Sequence, residues 1–295
     1  MAAPTGGVDP RARPGQSAAR KETPLSAEPK PHPLSTGFRW EDRTGPLRRL
    51  REAERNAFNR EGFVKVEGAF TRAEIADVTA AIDPLEAEGE EKLRAAGGTV
   101  SIATADEITF TTHIVRKSPV LRAFAAHPFI VDVCHDLLGD EVRLYWDQSV
   151  YKKTAQMREF PWHQDNGYTF IEPQQYLTFW LPLVDVDEEN GCPWIAPGKH
   201  RRGTLDHWTT PIGFKCLEDV PDAVAVPAKA GDAIIFSSLS PHRTGPNLRR
   251  GTVRKAYILQ YAHDGSVATY RDGRTAAQDH PERQFKILSA GDLKQ

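Results

Sequence analysis

The segment EVRLYWDQSVYKKT, Glu141 to Thr154, decides the fold. Its apolar residues recur at every second position, so Val142, Leu144, Trp146, Gln148 and Val150 read as one face of a β-strand. Gln148 is the polar exception on that face. Upstream the period is helical. PLRRLREAERNAFNREG reads as a short helix leading into the strand-like FVKVEGAF, and Thr71 with Glu74 forms a reciprocal capping signature ahead of Ile75, Val78, Ile82 and Leu85 at helical spacing. Ser118 and Pro119 open a further helical block, which restarts near Pro128 and stops at Gly139. Downstream come YLTFWLPLVDVD, PWIAPG, AVAVPA, AIIFSS and VRKAYILQYA, separated by the turn signals EENG, PGKH and AGD. Helices first and many short strands later predict a mainly β chain, a sandwich or barrel decorated with α-helices, without βαβ alternation.

Composition narrows the function. The 295 residues are 39% hydrophobic and 26% charged, with a net charge of −2, which gives no general attraction for nucleic acid or an anionic membrane. A small molecule is the expected partner. Neither a membrane-spanning apolar run nor a signal-peptide core is visible, and Cys134, Cys192 and Cys216 lack metal-type spacing and leave one thiol unpaired. A reducing cytoplasm is therefore the expected location. Residues 1–36, dense in Pro, Gly, Ala and Arg to about Ser35, read as a flexible tail, with a single domain over 37–295.

FPWHQDNGYTF, Phe160 to Phe170, sets a histidine, an amide and a carboxylate among aromatic rings, where burial is costly unless each polar group has a partner. On an extended segment His163 and Asp165 point to one face and can serve one metal, while Gln164 points away. The spacing alone is weak: the chain has 10 histidines, and His280 with Glu282 repeats it around Pro281, beyond the last good strand, where a surface turn is the better reading. SSLSPHRTGPNLRRGTVRKAY adds His242 directly after an apolar strand and Arg254 a little over ten residues further on. Two histidines and a carboxylate form the facial set of non-haem iron, and an arginine supplies a planar fork for a carboxylate.

These residues resemble the phytanoyl-CoA dioxygenase family of Fe(II)/2-oxoglutarate-dependent oxygenases, which includes ectoine hydroxylases. The resemblance spans roughly Glu61 to Ala262 and rests on WHQD, ENGCPWIAPGKHRRG, AGDAIIF and H-x-T-x-x-N followed by VRKAY. It implies a double-stranded β-helix, the cupin-like jelly roll, with N-terminal helices packed outside. It also implies that His163, Asp165 and His242 are the iron ligands, that Arg254 and Thr244 bind the distal carboxylate of 2-oxoglutarate, and that Gln148 and Trp180 add cosubstrate contacts. The expected reaction consumes O2 and 2-oxoglutarate, releases succinate and CO2, and hydroxylates, desaturates or cyclises at an unactivated carbon. Related halogenases carry a small residue at the position of Asp165, so halogenation is not expected. The step from His242 to Arg254 is one residue longer than the family pattern.

Substrate contacts are assigned to Asn166 and Tyr168, just past the ligand pair, to His113 in TFTTHIVRKSP, to Trp194, and to Arg202 in the basic turn GKHRRG. His113 reads equally as a cap, Arg202 as a solvated loop residue, and Trp146 and Phe170 as core. The expected substrate is a specialised metabolite, an amino-acid derivative or an acyl thioester. Two rival readings are a metal hydrolase or isomerase using the same ligands without redox chemistry, and a non-catalytic cupin-like binding protein. The first leaves Arg254, Thr244 and Gln148 without a shared role. The second commonly loses a ligand, and here all three are present.

Overall fold

The computed structural model describes residues 29–153, 159–290 and 292–293. Two antiparallel sheets form the frame. In the larger, Phe63–Val66, Ala233–Ser237, Leu177–Pro182, Val253–His263, Val142–Lys153 and Ile108–Thr112 lie side by side. In the smaller the order is Val224–Ala225, Pro193–Ile195, His242–Thr244 and Phe160–His163. From Val142 onward the chain passes back and forth between the sheets, which is the winding of a double-stranded β-helix. Every strand segment read from the sequence is present, and the jelly roll is confirmed.

The larger sheet is buried on both faces, so AIIFS reads as a continuous apolar run rather than an alternation. Ile234 and Phe236 pack between the sheets with Trp180, Ile195 and Ile258. Ala233 and Ile235 face the other way, into a core shared with the helices. Those helices are Glu52–Glu61, Arg72–Ala95, Pro119–Phe124 and Pro128–Leu138. At the start of the long one, Glu74 N–H donates to Thr71 Oγ1 at 3.2 Å and Thr71 N–H to Glu74 Oε2 at 2.7 Å, satisfying two end donors reciprocally. Ile75, Val78 and Ile82 bury as the spacing predicts. Beyond Pro84 the buried face turns polar: Glu86 accepts from Thr109 Oγ1 at 2.6 Å and from Ser149, and Glu90 pairs with Lys153. Each buried carboxylate thus has a partner, which offsets its desolvation.

One expectation for the central strand fails. Val142 and Leu144 face the helix core, whereas Trp146, Gln148 and Val150 face the interior between the sheets. The cause is a bulge: Gln260 pairs with Trp146 but Tyr261 pairs with Leu144, so Tyr145 is the extra residue and the alternation inverts across it.

Part of the predicted tail, residues 1–28, lies outside the described residues. The remainder is strapped onto the domain: Pro31 bridges Leu205, His32 N–H donates to Thr204 O at 2.8 Å, and the His32 ring stacks on Phe170 at 4.8 Å. The three cysteines are buried and unpaired. No helix among the described residues is long and apolar enough to cross a membrane.

Candidate active site

His163 ends one strand of the smaller sheet, Asp165 begins the 3-10 turn that follows, and His242 begins the neighbouring strand. Their ligand atoms lie within 4.8 Å of one another. Asp165 Oδ1 is 3.8 Å from Nε2 of both His163 and His242, too far for hydrogen bonds and spaced to admit an ion. Each imidazole is set in one tautomer, since Nδ1 of His163 donates to Pro161 O at 2.8 Å and Nδ1 of His242 to Ser240 O at 3.0 Å. Both Nε2 lone pairs are thereby directed at the gap. Burial, then the neighbouring His242, holds His163 well below the usual histidine pKa, in its neutral ligating form. Asp165 is fixed from its other oxygen: Oδ2 accepts the Thr178 hydroxyl at 2.5 Å, and Thr178 Oγ1 accepts from Gln260 Nε2 at 3.3 Å. Two imidazole nitrogens and one carboxylate oxygen form a set suited to Fe(II).

The turn carrying the ligands is pinned from behind. Gln164 is fully buried and does point away from the gap, donating to Gly203 O and Leu239 O and accepting from Leu205 N–H at 2.6 Å. His207 Nε2 accepts Gln164 N–H at 3.0 Å. Gly167 leaves room for that ring, because a Cβ there would fall 2.1 Å from His207 Cε1.

The triad opens into a cavity of about 750 Å³, within the ~300–1,000 Å³ range typical of small-molecule sites. Arg254, Thr244, Gln148 and Trp180, the residues that the resemblance assigns to the cosubstrate, all line it. Arg254 is 1% exposed, stacks over Trp180 at 5.4 Å, and spends Nη1 on Val150 O at 3.1 Å. Nε has no partner, and no ion pair to Arg254 is formed among the described residues. Burial pulls its pKa down to about 9. Gln148 Oε1 accepts Trp146 Nε1–H at 3.2 Å, and Trp146 lines the cavity rather than the core expected of it. Phe170 is core, stacked under His32.

The substrate assignments fare differently. Tyr168 lines the cavity, edge-on to His163 at 5.5 Å, its hydroxyl accepting Phe214 N–H at 3.2 Å. Asn166 does not: it is fully buried, donates to Thr204 Oγ1 at 2.6 Å and accepts Ile171 N–H at 2.8 Å, so it braces the loop. Trp194 is the register partner of Arg243, which stacks on it at 4.9 Å, and strand alternation puts that pair on the face opposite His242 and Thr244. Arg202 is exposed on the turn Lys199–Arg202 and His113 lies behind Trp146, ring centroids 4.4 Å apart; neither lines the cavity. The outer wall comes instead from the long helix and the 100–110 segment: Leu93, Ala96, Ile102, Ile108 and Phe110, closed by Phe160. Thr178 and Gln260 also escaped the sequence reading, although a polar residue inside the apolar runs LTFWL and ILQYA is a usable signal.

Similarity to known proteins agrees with this geometry. Residues 58–256 match the family described as phytanoyl-CoA dioxygenase (PhyH). An ectoine dioxygenase from Sphingopyxis alaskensis is 31% identical over 229 residues, covering 70% of this chain and 74% of the relative. The structure of EctD from S. alaskensis with 2-oxoglutarate and 5-hydroxyectoine superposes with a TM-score of 0.63 at 23% identity, over 86% of this chain and 89% of that one. The 2-oxoglutarate-dependent carbocyclase SnoK from nogalamycin biosynthesis gives 0.60 at 25% identity, over 85% and 97%. The chain belongs to the phytanoyl-CoA dioxygenase family of iron- and 2-oxoglutarate-dependent oxygenases.

Proposed function

We propose that this 2-oxoglutarate-dependent iron dioxygenase oxidises an unactivated carbon of a small, largely apolar molecule. In this reading His163, Asp165 and His242 hold the metal and Arg254 receives the distal carboxylate of 2-oxoglutarate. The observation that carries it is the guanidinium of Arg254, buried in the triad's own cavity with no ion-pair partner among the described residues. A buried, unpaired cation costs several kcal/mol, on the order given by ion desolvation, and a ligand carboxylate removes that cost. The planar fork suits a carboxylate better than a point charge does.

When iron is bound, the chemistry supplied is oxidation by dioxygen coupled to decarboxylation of 2-oxoglutarate to succinate and CO2. The chain's own residues orient and exclude. Arg254 and Thr244 fix one end of the cosubstrate, Thr178 holds Asp165 in its ligating rotamer, and Tyr168 narrows access beside His163. Phe110, Ile108, Leu93 and Phe160 give the substrate an apolar wall, which favours ring or chain hydrocarbon over a highly charged metabolite. With Asp165 filling its position, hydroxylation, desaturation or cyclisation is the outcome, not halogenation.

The test is an anaerobic titration of metal-free protein with Fe(II), then 2-oxoglutarate. A weak visible charge-transfer band of the chelated 2-oxo acid is expected, lost in Arg254→Ala. Iron bound without any band overturns the cosubstrate assignment. Succinate release then serves as the substrate screen.

A further inference from the structure

Lys152 is a second buried cation, beside Arg254 and Thr244 but not itself among the residues that line the cavity. It is 3% exposed and stands directly opposite Arg254 in the antiparallel pair. Directly opposed side chains share a face with Cβ atoms roughly 5 Å apart. Its Nζ donates to Thr244 Oγ1 at 2.8 Å, Thr244 O at 2.9 Å and Gly245 O at 2.7 Å. Three acceptors call for three hydrogens, which the ammonium has and the free amine lacks. Burial and then the charge of Arg254 push against that form, while Glu159, the carboxylate acting on it from farther off, is engaged by Arg243. Two adjacent cations in a desolvated site, each without a carboxylate partner among the described residues, destabilise the free protein unless an anion arrives.

The contact to Thr244 has a directional consequence. Because Oγ1 accepts from Lys152, the hydroxyl's own hydrogen is free to point elsewhere, and Thr244 lines the cavity beside Arg254. The same ammonium clamps the backbone just after His242–Thr244, where Gly245 O sits so close to Gly191 that a Cβ there would fall 2.5 Å away.

We propose that Lys152 is a positioning residue for the cosubstrate: it turns the Thr244 hydroxyl into a donor aimed into the cavity and adds a second positive charge to the Arg254 seat. That end of the cavity thereby selects a 2-oxo acid bearing a distal carboxylate over one that lacks it. The inference rests on Arg254 being the cosubstrate anchor.

The test compares binding of 2-oxoglutarate and 2-oxopentanoate, which has the same chain length without the distal carboxylate, by calorimetry on full-length protein loaded with redox-silent Zn(II). Lys152→Met is expected to weaken 2-oxoglutarate by about tenfold or more while leaving 2-oxopentanoate within about twofold, the scale of one lost charge-assisted contact. Lys152→Arg is expected to retain part of the preference. Thr244→Val is expected to lose part of it, and adding Lys152→Met to be less than additive. Equal weakening of both acids by Lys152→Met, or no weakening, overturns the proposal. If Lys152→Met fails to fold, Thr244→Val decides, and an unchanged preference there overturns it. Arg254→Met separates the underlying reading: preference retained in that variant removes the anchor itself. Preference lost there but kept in Lys152→Met removes only the role of Lys152.

Discussion

His163 and His242 are direct partners across one antiparallel strand pair, with ring centroids 4.2 Å apart. That register brings two imidazoles from residues far apart in sequence to one point, and the turn after His163 brings the Asp165 carboxylate beside them. The pair sits at the inner face of the smaller sheet, so the candidate metal site opens toward the space between the sheets.

The hold of Thr178 on Asp165 Oδ2 is expected to tune metal affinity. Thr178→Val keeps the shape and removes the donor. Fe(II) affinity should fall by about 10- to 100-fold, the effect typical of losing a hydrogen bond that orients a ligand. A competition titration against a colorimetric chelator measures it, and an affinity equal to wild type removes this role.

Gly191 has φ +87° and packs its bare Cα toward Gly245 O. Gly191→Ala should destabilise the protein by about 1–3 kcal/mol through backbone strain, and by more if the contact cannot relax. Denaturant unfolding reads the change. Because the strained contact abuts the loop after Thr244, 2-oxoglutarate affinity should fall with it.

Asp147 is buried, accepting Val115 N–H at 3.0 Å and the Tyr257 hydroxyl at 3.4 Å, with Oδ1 unpartnered. Burial pushes its carboxyl up to about 7 from 3.8. The folded pKa exceeds the unfolded one, so this group's contribution to stability is full below about pH 4 and is lost as pH rises through about 7. The loss is on the order of 1–4 kcal/mol, at 1.36 kcal/mol for each pKa unit. Asp147→Asn mimics the protonated acid and should flatten that slope in urea unfolding at pH 4.5, 6 and 7.5. A slope unchanged from wild type removes Asp147 as its source.

Phe179 lies on the helix-facing side of the larger sheet, fully buried and edge-on to Tyr261 at 5.3 Å. Phe179→Ala should cost about 3–5 kcal/mol, the range for emptying a core aromatic. Tryptophan-monitored unfolding checks it. The neighbouring Trp180 faces the cavity instead, so Trp180→Leu should affect 2-oxoglutarate binding more than stability.

The sequence by itself determined what repeats along the chain or is forced by chemistry. Strand and helix periods, the Thr71–Glu74 cap, and the shared face of His163 and Asp165 were legible because each is a local spacing set by backbone geometry, whereas His242 was joined to that pair only through the family resemblance. Arg254, a cation at the start of an apolar strand, was singled out by the same resemblance. Tertiary structure alone decided the rest. The bulge at Tyr145 inverted a face that strict alternation would have kept. Asn166, next to Asp165 in sequence, turned into loop bracing and Trp194 took the outer sheet face, while Leu93, Ala96 and Phe110, far from the triad in sequence, became the cavity wall. Only strand pairing sets Lys152 opposite Arg254 and against Thr244. Side-chain partners across sheets are fixed by register and burial, and neither is encoded at any single position of the chain.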